Sequence, residues 1–389
     1  MNTKSFRTKT EFIERNNGNI PNVWEIALDI GYSSVKLFSP NIVASFPSYA
    51  RRINEDFEFA GTNPDNAILY KNLATNEMWL VGEVAQNTIT TGDTSDSEAS
   101  LYGRERYTNE MFKVISEVGL GVAMQSNAYG EPGNSKIVIQ TGLPERYMND
   151  EEDLIESLAV SHNFSLKIGN NDWSDYHFSV NSSDVYVISQ PKGSLFSVCM
   201  KSDGTFHPDA GKYLKSSVLV FDPGFGTLDL FPIINGTVKS GETFSDLGMK
   251  RVLQETSKSI RSEYGVDIPV PSMQKYLETG LVKYMNKKTF ESKEYAFSNL
   301  LEKANEKVCE EAINRMSSAM NLIDFDYMII TGGTGAAWLY KIQDKFKKFS
   351  TLTILNSNQN DNLPFIYSNV RGYYLYRYNK IGKELAERG

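Results

Sequence analysis

Long apolar runs and closely spaced cysteines or histidines are what this sequence lacks. No apolar run approaches the roughly 20 residues of a membrane-spanning helix, and residues 1–19 lack the apolar middle of a signal peptide. Cys199 and Cys309 stand far apart, and the three histidines have no ligand spacing among themselves. These absences predict a cytoplasmic protein with no membrane contact, no disulfide framework and no zinc site.

The sequence also has no excess of basic over acidic residues. The formal net charge is −8, and an acidic surface repels a phosphate backbone, so direct nucleic-acid binding is not expected as the main activity. The chain of 389 residues is long enough for two domains, each with a core of its own. Residues 1–21 are polar and rich in asparagine, and we expect them to form a flexible extension.

The order of apolar segments predicts an α/β protein with two similar halves. Val23–Leu28 and Ser217–Phe221 are apolar strands that each run into an Asp-x-Gly sequence. Returning strands follow at Val35–Phe38 and Leu228–Ile234, and Asn235-Gly236 is a hairpin turn after the second of these. The same unit at the start of both halves predicts two similarly folded lobes that face each other.

These units set the predicted domain boundaries. Lobe I is expected to cover residues 22–215, with a small loop-rich subdomain inserted at about 39–104 that includes a turn-rich stretch at 90–100. Lobe II is expected to cover residues 216–389, with a small subdomain at about 251–292. A C-terminal helix at about 371–386 is expected to pack back on lobe I.

The first candidate phosphate-binding loop is Asp29-Ile-Gly-Tyr-Ser-Ser-Val-Lys36. Glycine allows a tight turn in which backbone N–H groups and hydroxyls face phosphate oxygens, and the candidates are Gly31, Tyr32, Ser33 and Ser34. Lys36 supplies positive charge on the returning strand, and Asp29 can hold Mg²⁺ through the water ligands of the ion. An ordinary hairpin with Asp29 in an Asx turn is the alternative.

The second candidate loop is Asp222-Pro-Gly-Phe-Gly-Thr-Leu-Asp229. A carboxylate directly after a buried strand is costly in a core, so Asp222 should face a cleft. The flexible segment after it offers four phosphate-binding candidates, namely Gly224, Phe225, Gly226 and Thr227. A tight turn without a ligand is the alternative.

A third motif, Thr331-Gly-Gly-Thr-Gly335, follows the buried strand Tyr327–Ile330 and precedes a helix. The N–H groups and bare surfaces of Gly332, Gly333 and Thr334 suit a nucleoside and its α-phosphate. A glycine-rich connector between strand and helix is the alternative.

The three motifs, in this order, resemble the phosphate-1, phosphate-2 and adenosine motifs of the actin, sugar-kinase and heat-shock-ATPase superfamily. Gln140-Thr-Gly-Leu-Pro144, Asp246-Leu-Gly248 and Tyr367–Tyr374 are most similar to segments of ParM-type bacterial actins. The resemblance implies an α/β actin-like fold. Each of its two lobes has a central mixed sheet flanked by helices, as in ribonuclease H, with a nucleotide cleft between them.

The resemblance also implies chemistry. ATP and Mg²⁺ are the expected cofactors, with Asp29 and Asp222 on either side of the metal and Asp222 also catalytic. Gln190 falls where ParM-type proteins carry a water-activating glutamate, and an amide orients a water molecule but does not deprotonate it.

Among the functions of this superfamily, a filament-forming ATPase that segregates plasmid DNA through a DNA-bound adaptor is favoured. Its partners would be further copies of itself and that adaptor. A small-molecule kinase is the alternative, because Asp222 could activate an acceptor hydroxyl. A heat-shock chaperone is not favoured. It would need a peptide-binding domain after the third motif, and the residues that follow this motif are expected to complete the two lobes.

Overall fold

The computed structural model describes residues 3–89, 104–286 and 288–388. Two lobes, each built on a central mixed sheet with flanking helices, form an α/β fold, as the sequence predicted. The turn-rich stretch predicted at residues 90–100 lies outside the described residues. No described helix is both long enough and apolar enough to cross a membrane.

The strands of the first half alternate between a central sheet and a smaller one. They are β1 (Glu11–Glu14), β2 (Val23–Ile30), β3 (Ser34–Phe38), β4 (Ile42–Pro47), β5 (Ala50–Ile53), β6 (Ile68–Asn72), β7 (Met78–Val81), β8 (Lys136–Leu143), β9 (Ser161–Ile168), β10 (Ser174–Ser179) and β11 (Val185–Ser189).

The strands of the second half form one central sheet and a hairpin. They are β12 (Val218–Pro223), β13 (Leu228–Ile234), β14 (Thr237–Val238), β15 (Glu242–Phe244), β16 (Leu281–Met285), β17 (Ser292–Ala296), β18 (Tyr327–Ile330) and β19 (Thr353–Asn356).

The helices flank these sheets. They are α1 (Glu83–Asn87), α2 (Glu110–Ala123), α3 (Glu151–Leu158), α4 (Gln190–Cys199), α5 (Ala210–Lys215), α6 (Met249–Tyr264), α7 (Val270–Leu277), α8 (Ser298–Ala319), α9 (Gly332–Phe346) and α10 (Ser368–Arg388).

The two central sheets repeat one topology. In lobe I the order is β1-β4-β3-β2-β8-β11, and in lobe II it is β14-β13-β12-β18-β19 with β15 also on β13. Each sheet has an antiparallel hairpin, β2–β3 or β12–β13, followed by two parallel strands. The two-fold symmetry that the sequence predicts is therefore present in the strand order.

Helices α4 and α10 lie together between the two central sheets and pack on both. Their contact is so close that a Cβ atom at Gly372 would come within 1.7 Å of the carbonyl oxygen of Gly193. Any other residue at position 372 would clash with this backbone oxygen, so the close contact requires glycine. This close packing joins the lobes at the base of the cleft, and α10 also contacts β2, β3 and β8 of lobe I.

The start of the chain differs from the predicted flexible extension. Residues Glu11–Glu14 form β1, an edge strand paired antiparallel with β4, and Thr3–Phe6 form a 3₁₀ turn with Phe6 buried. Polarity alone suggested a free segment. Hydrogen bonds to distant residues hold it instead.

The small subdomain of lobe I also differs from its predicted composition. β4 belongs to the central sheet, whereas the small sheet has the order β10-β9-β6-β7-β5 and so takes two strands from residues 161–179. The alternation of His162, Phe164, Leu166 and Ile168 on the buried face of β9 is a strand signal that the prediction missed.

Candidate functional site

The two hairpins and the turn after β18 meet around one cavity of about 410 Å³ between the lobes. Each motif lies where its strand reaches the cleft side of its sheet. All predicted site residues line this cavity: Asp29, Gly31, Tyr32, Ser33, Ser34, Lys36, Gln190, Asp222, Gly224, Phe225, Gly226, Thr227, Gly332, Gly333 and Thr334. The structure therefore brings together segments that are up to 305 residues apart, counted from Asp29 to Thr334.

The first hairpin places a cation beside its aspartate. Asp29 is directly opposite Lys36 in the register of β2 and β3, and Lys36 Nζ lies 3.3 Å from Asp29 Oδ2. Asp29 is only 4% exposed, so little water screens this pair. The turn is closed by Gly31, whose N–H donates to the carbonyl of Ser34 at 3.1 Å.

The second hairpin places an anion at the same position. Asp222 lies opposite Asp229 in the register of β12 and β13, and both side chains are buried. Burial raises the pKa of Asp222 to about 7, and the negative charge of Asp229 adds to that rise. Burial also raises the pKa of Asp229, although hydrogen bonds from Thr243 and Thr227 oppose the shift.

The third motif begins α9 and closes over the second hairpin. Gly332 has φ of +73°, which favours glycine, and a Cβ atom there would come within 2.6 Å of Asp222 Oδ1. Thr334 Oγ1 donates to the carbonyl oxygen of Gly224 at 2.7 Å. The glycine is thus required twice, by its backbone conformation and by the aspartate beside it.

Gln190 connects the helix between the lobes to the first hairpin. It is the first residue of α4, directly after β11, and its Nε2 donates to Asp29 Oδ1 at 3.1 Å. Gln190 lines the cavity, and its amide oxygen can accept a further hydrogen bond. An amide in this position can orient a water molecule but cannot remove its proton.

The residues of the cavity fit a hydrated divalent cation better than a directly ligated one. Among residues 3–89, 104–286 and 288–388, no group of three or more His, Cys, Asp or Glu side chains could ligate a metal ion. Yet the charges of Asp229 and Asp29 both raise the pKa of Asp222, so negative charge accumulates there. Mg²⁺ keeps much of its hydration shell, and Asp29 and Asp222 could bind it through those waters.

Sequence reasoning missed several residues of this site. Asn369, on α10, donates from Nδ2 to Asp222 Oδ2 at 3.2 Å and accepts from Ser194 Oγ at 2.5 Å. The guanidinium of Arg106 lies 5.1 Å from the ring centroid of Tyr32 and covers that side of the first loop. Residues 4–9 also line the cavity. Arg106 and residues 4–9 belong to no recognised motif, whereas Asn369 lies in the Tyr367–Tyr374 segment, which had no assigned role in the site.

Comparisons with known proteins were made with both sequence and structure. Residues 27–193 match the family model described as the N-terminal domain of actin-like proteins. No curated protein matches the chain. Among solved structures, a non-polymerisable quadruple mutant of pCBH ParM has a TM-score of 0.68 and 19% identity, over 93% of this chain and 99% of that one.

Two further structures are similar over nearly the whole chain. A 15-stranded ParM filament from Clostridium botulinum has a TM-score of 0.67 and 19% identity, over 92% of this chain and 99% of that one. The ADP complex of Ta0583, an archaeal actin homologue, has a TM-score of 0.57 and 16% identity, over 94% and 100%. The chain therefore has an actin-like fold and carries an actin-like domain in its first half, which confirms the predicted resemblance at that level.

Proposed function

We propose that this chain is an actin-like ATPase that polymerises on binding ATP and Mg²⁺ and disassembles after hydrolysis. The observation that carries the proposal is the meeting of two aspartate-bearing hairpins and one glycine turn around a single cavity between two lobes. The similarity to a ParM filament supports the polymer, and the similarity to an archaeal actin homologue with ADP supports the nucleotide.

The three motifs contribute different groups to the cavity, and together these groups suit a nucleoside triphosphate. Ser33 and Ser34 in the first loop, and Phe225 and Gly226 in the second, line the cavity and would offer N–H groups or hydroxyls to the phosphates from the two hairpins. Lys36 adds positive charge on the lobe I side. The turn at Gly332 to Thr334 exposes backbone at the start of a helix, where the adenosine and its α-phosphate would lie.

Hydrolysis requires an oriented water molecule and a group that accepts a proton. We assign orientation to Gln190, whose amide is fixed by its bond to Asp29. Asp222 is assigned as the proton acceptor, since burial and the charge of Asp229 raise its pKa in the metal-free site. When bound, Mg²⁺ supplies positive charge that offsets the negative charge developing on the phosphates.

Assembly follows from the two-lobed architecture. A nucleotide that contacts both hairpins fixes the relative orientation of the lobes, and a fixed orientation presents complementary surfaces for head-to-tail contacts. Such heterologous contacts give an open filament when their rotation does not close a ring. Because the net charge is −8, transport of plasmid DNA would require a separate, basic DNA-bound adaptor.

Sedimentation with ATP and Mg²⁺ tests the proposal. We expect high-mass polymer that appears with ATP, requires the metal and disappears as phosphate is released. The variant Asp222→Ala should lose metal-dependent turnover. Asp267→Ala is the matched control, because this aspartate is exposed and its side chain lies outside the cavity.

One outcome would replace the proposal with the kinase alternative. A wild-type protein that stays monomeric at micromolar concentration with ATP and Mg²⁺, and that phosphorylates a small hydroxyl compound, is not a filament ATPase. Phosphate release that requires no added acceptor, together with polymer, would instead exclude the kinase.

A further inference from the structure

Residues Thr3–Glu14, here called the N-terminal strap, cross from one lobe to the other beside the cleft. The strap begins with a 3₁₀ turn at Thr3–Phe6 and ends as β1 on the edge of the lobe I sheet. It precedes residues 27–193, so it lies outside the part that matches the actin-like family model. The strap is also separate from the three sequence motifs that form the site, at residues 29–36, 222–229 and 331–335.

The first half of the strap is bound to lobe II. Thr3 Oγ1 donates to the carbonyl oxygen of Leu277 at the end of α7, at 2.7 Å. The N–H of Thr8 donates to Gln274 Oε1 at 3.0 Å. Between them, Phe6 is buried in the hydrophobic cluster of lobe II. Hydrogen bonds on both sides of a buried aromatic ring fix this half against α7.

The second half of the strap is bound to lobe I. Thr10 and Glu83 exchange two bonds, since the N–H of Thr10 donates to Glu83 Oε2 at 2.9 Å and the N–H of Glu83 donates to Thr10 Oγ1 at 3.3 Å. Glu83 begins α1, which follows the small sheet of lobe I. The strand pairing of β1 with β4 then anchors this half to the central sheet.

Arg7 lies where the strap passes between the lobes, and its guanidinium contacts both. Nη1 lies 2.6 Å from Glu278 Oε2 on lobe II, while Nη2 lies 3.0 Å from Glu83 Oε1 on lobe I. Nη2 also donates to Asn87 Oδ1 at 2.9 Å. The Arg7 side chain is 8% exposed and that of Glu83 is 11% exposed, so this charge-assisted pair is stronger than a surface ion pair. The Glu278 side chain is 41% exposed, so water partly screens its pair with Arg7.

The strap also forms part of the cavity wall. Residues 4–9 and Glu11 line the same cavity as Asp29 and Asp222, and α1 and α7 contact each other beside the strap. A segment that only completed one lobe would bond to that lobe alone. Here the bonds are divided between two lobes, and the residue at the crossing binds an acid on each.

We propose that the N-terminal strap is a latch that holds the two lobes together over the bound nucleotide and limits its exchange. Release requires the ion pairs of Arg7 to Glu278 and Glu83 to break, which allows α7 to separate from α1. The proposal rests on the nucleotide site proposed above. It adds a segment that governs how fast the nucleotide leaves.

Dissociation of a fluorescent ATP analogue, chased with excess ATP, tests the latch in the full-length protein. Arg7→Ala removes the cation from both lobes, and Glu278→Gln weakens only the lobe II side. Loss of charge-assisted bonds should accelerate dissociation roughly tenfold in Arg7→Ala and less in Glu278→Gln. Arg52→Ala is the control, since Arg52 pairs with Glu77 and Glu110 on the surface of lobe I. Equal dissociation rates in all four proteins would overturn the latch.

A second measurement separates failure of the latch from failure of the nucleotide site. If the wild-type protein binds no ATP analogue, the proposed function fails, and the latch is then tested without nucleotide. The N–H groups of Thr8 and Thr10 donate to side chains on opposite lobes, so their hydrogen exchange reports closure. Faster exchange of both in Arg7→Ala than in Arg52→Ala supports the latch, and unchanged exchange overturns it.

Discussion

The β2–β3 and β12–β13 hairpins have the same topology but opposite charge patterns. Each carries an aspartate beside the cavity, and each has its register partner seven residues later in the chain. Opposite Asp29 stands Lys36, whereas opposite Asp222 stands Asp229. The first hairpin therefore balances its own charge, while the second concentrates negative charge.

From this difference we propose that the two hairpins have separate tasks in the nucleotide site. A hairpin that presents a lysine is suited to phosphate oxygens. A hairpin that buries two acids holds its key aspartate at a pKa of about 7, and it is suited to a cation or to proton transfer. Repeated topology thus provides the two walls of one site, and the residue opposite each aspartate makes the walls different.

Removal of the second aspartate should have the largest effect. With Asp222→Asn, we expect hydrolysis to fall by about 100-fold or more, since the basic group of the site is lost while its shape remains. Steady-state phosphate release measures this. The control is Asp203→Asn, on an exposed loop where the carboxylate accepts hydrogen bonds from the neighbouring Thr205. Turnover within a few-fold of wild type would show that Asp222 has no chemical role.

A change in the first hairpin should chiefly affect binding. Lys36→Ala removes the positive charge that we expect to bind the phosphates. It also leaves the Asp29 carboxylate without the lysine opposite it, so that the first hairpin, like the second, carries uncompensated negative charge. We expect the Kd for ATP to rise by about 10- to 100-fold, because a charge-assisted bond contributes about 1.5–3 kcal/mol. Equilibrium titration with a fluorescent nucleotide measures the change.

The matched control for that titration is Lys283→Ala. This lysine pairs with Glu294 on the exposed β16–β17 hairpin of lobe II. If both variants bind ATP equally well, positive charge at Lys36 does not serve the phosphates, and the separation of tasks between the hairpins is wrong.

Gln190 is expected to have a smaller and more selective effect. Gln190→Ala removes the amide that bonds to Asp29 Oδ1 at 3.1 Å, and with it the orientation of water. Phosphate release should slow about tenfold while ATP-dependent sedimentation persists. Gln359→Ala, at an exposed loop position, is the control. If Gln190→Ala abolished both polymer formation and phosphate release, Gln190 would be needed for the arrangement of the two lobes rather than for the orientation of the water molecule.

The sequence predicted the parts of the site that are local. Asp29 and Lys36, or Asp222 and Gly224, lie within one loop, so strand ends, glycines and hydroxyls indicate their role. The order of three such loops then predicted the fold, which the strand topology confirms. Asp229 stood in the second motif without an assigned role, although its spacing from Asp222 equals that of Lys36 from Asp29.

Other residues could not be predicted because their partners are distant in sequence. Asn369 meets Asp222 across 147 positions, and it does so only because α10 returns between the sheets. The strap shows the same limit, since Thr8 bonds to a side chain 266 positions away. Its polar composition is equally compatible with a free segment, and tertiary hydrogen bonds decide the outcome.

The last prediction concerns stability rather than activity, and it depends on pH. The pKa of Asp222 is about 7 in the fold against an ordinary value of 3.8. A group whose pKa rises on folding stabilises the fold fully below its unfolded pKa, and this contribution is lost as pH rises through the folded pKa. The nucleotide-free protein should therefore lose stability between about pH 4 and pH 7 from this group.

The variant Asp222→Asn isolates that contribution, because an amide does not titrate. Without nucleotide, its unfolding free energy should match that of the wild type near pH 4 and exceed it at pH 8 by a few kcal/mol, which thermal unfolding at the two pH values measures. Asp29→Asn should show no such gain, since Lys36 balances the charge of Asp29. Equal gains in both variants at pH 8 would contradict the charge difference between the two hairpins.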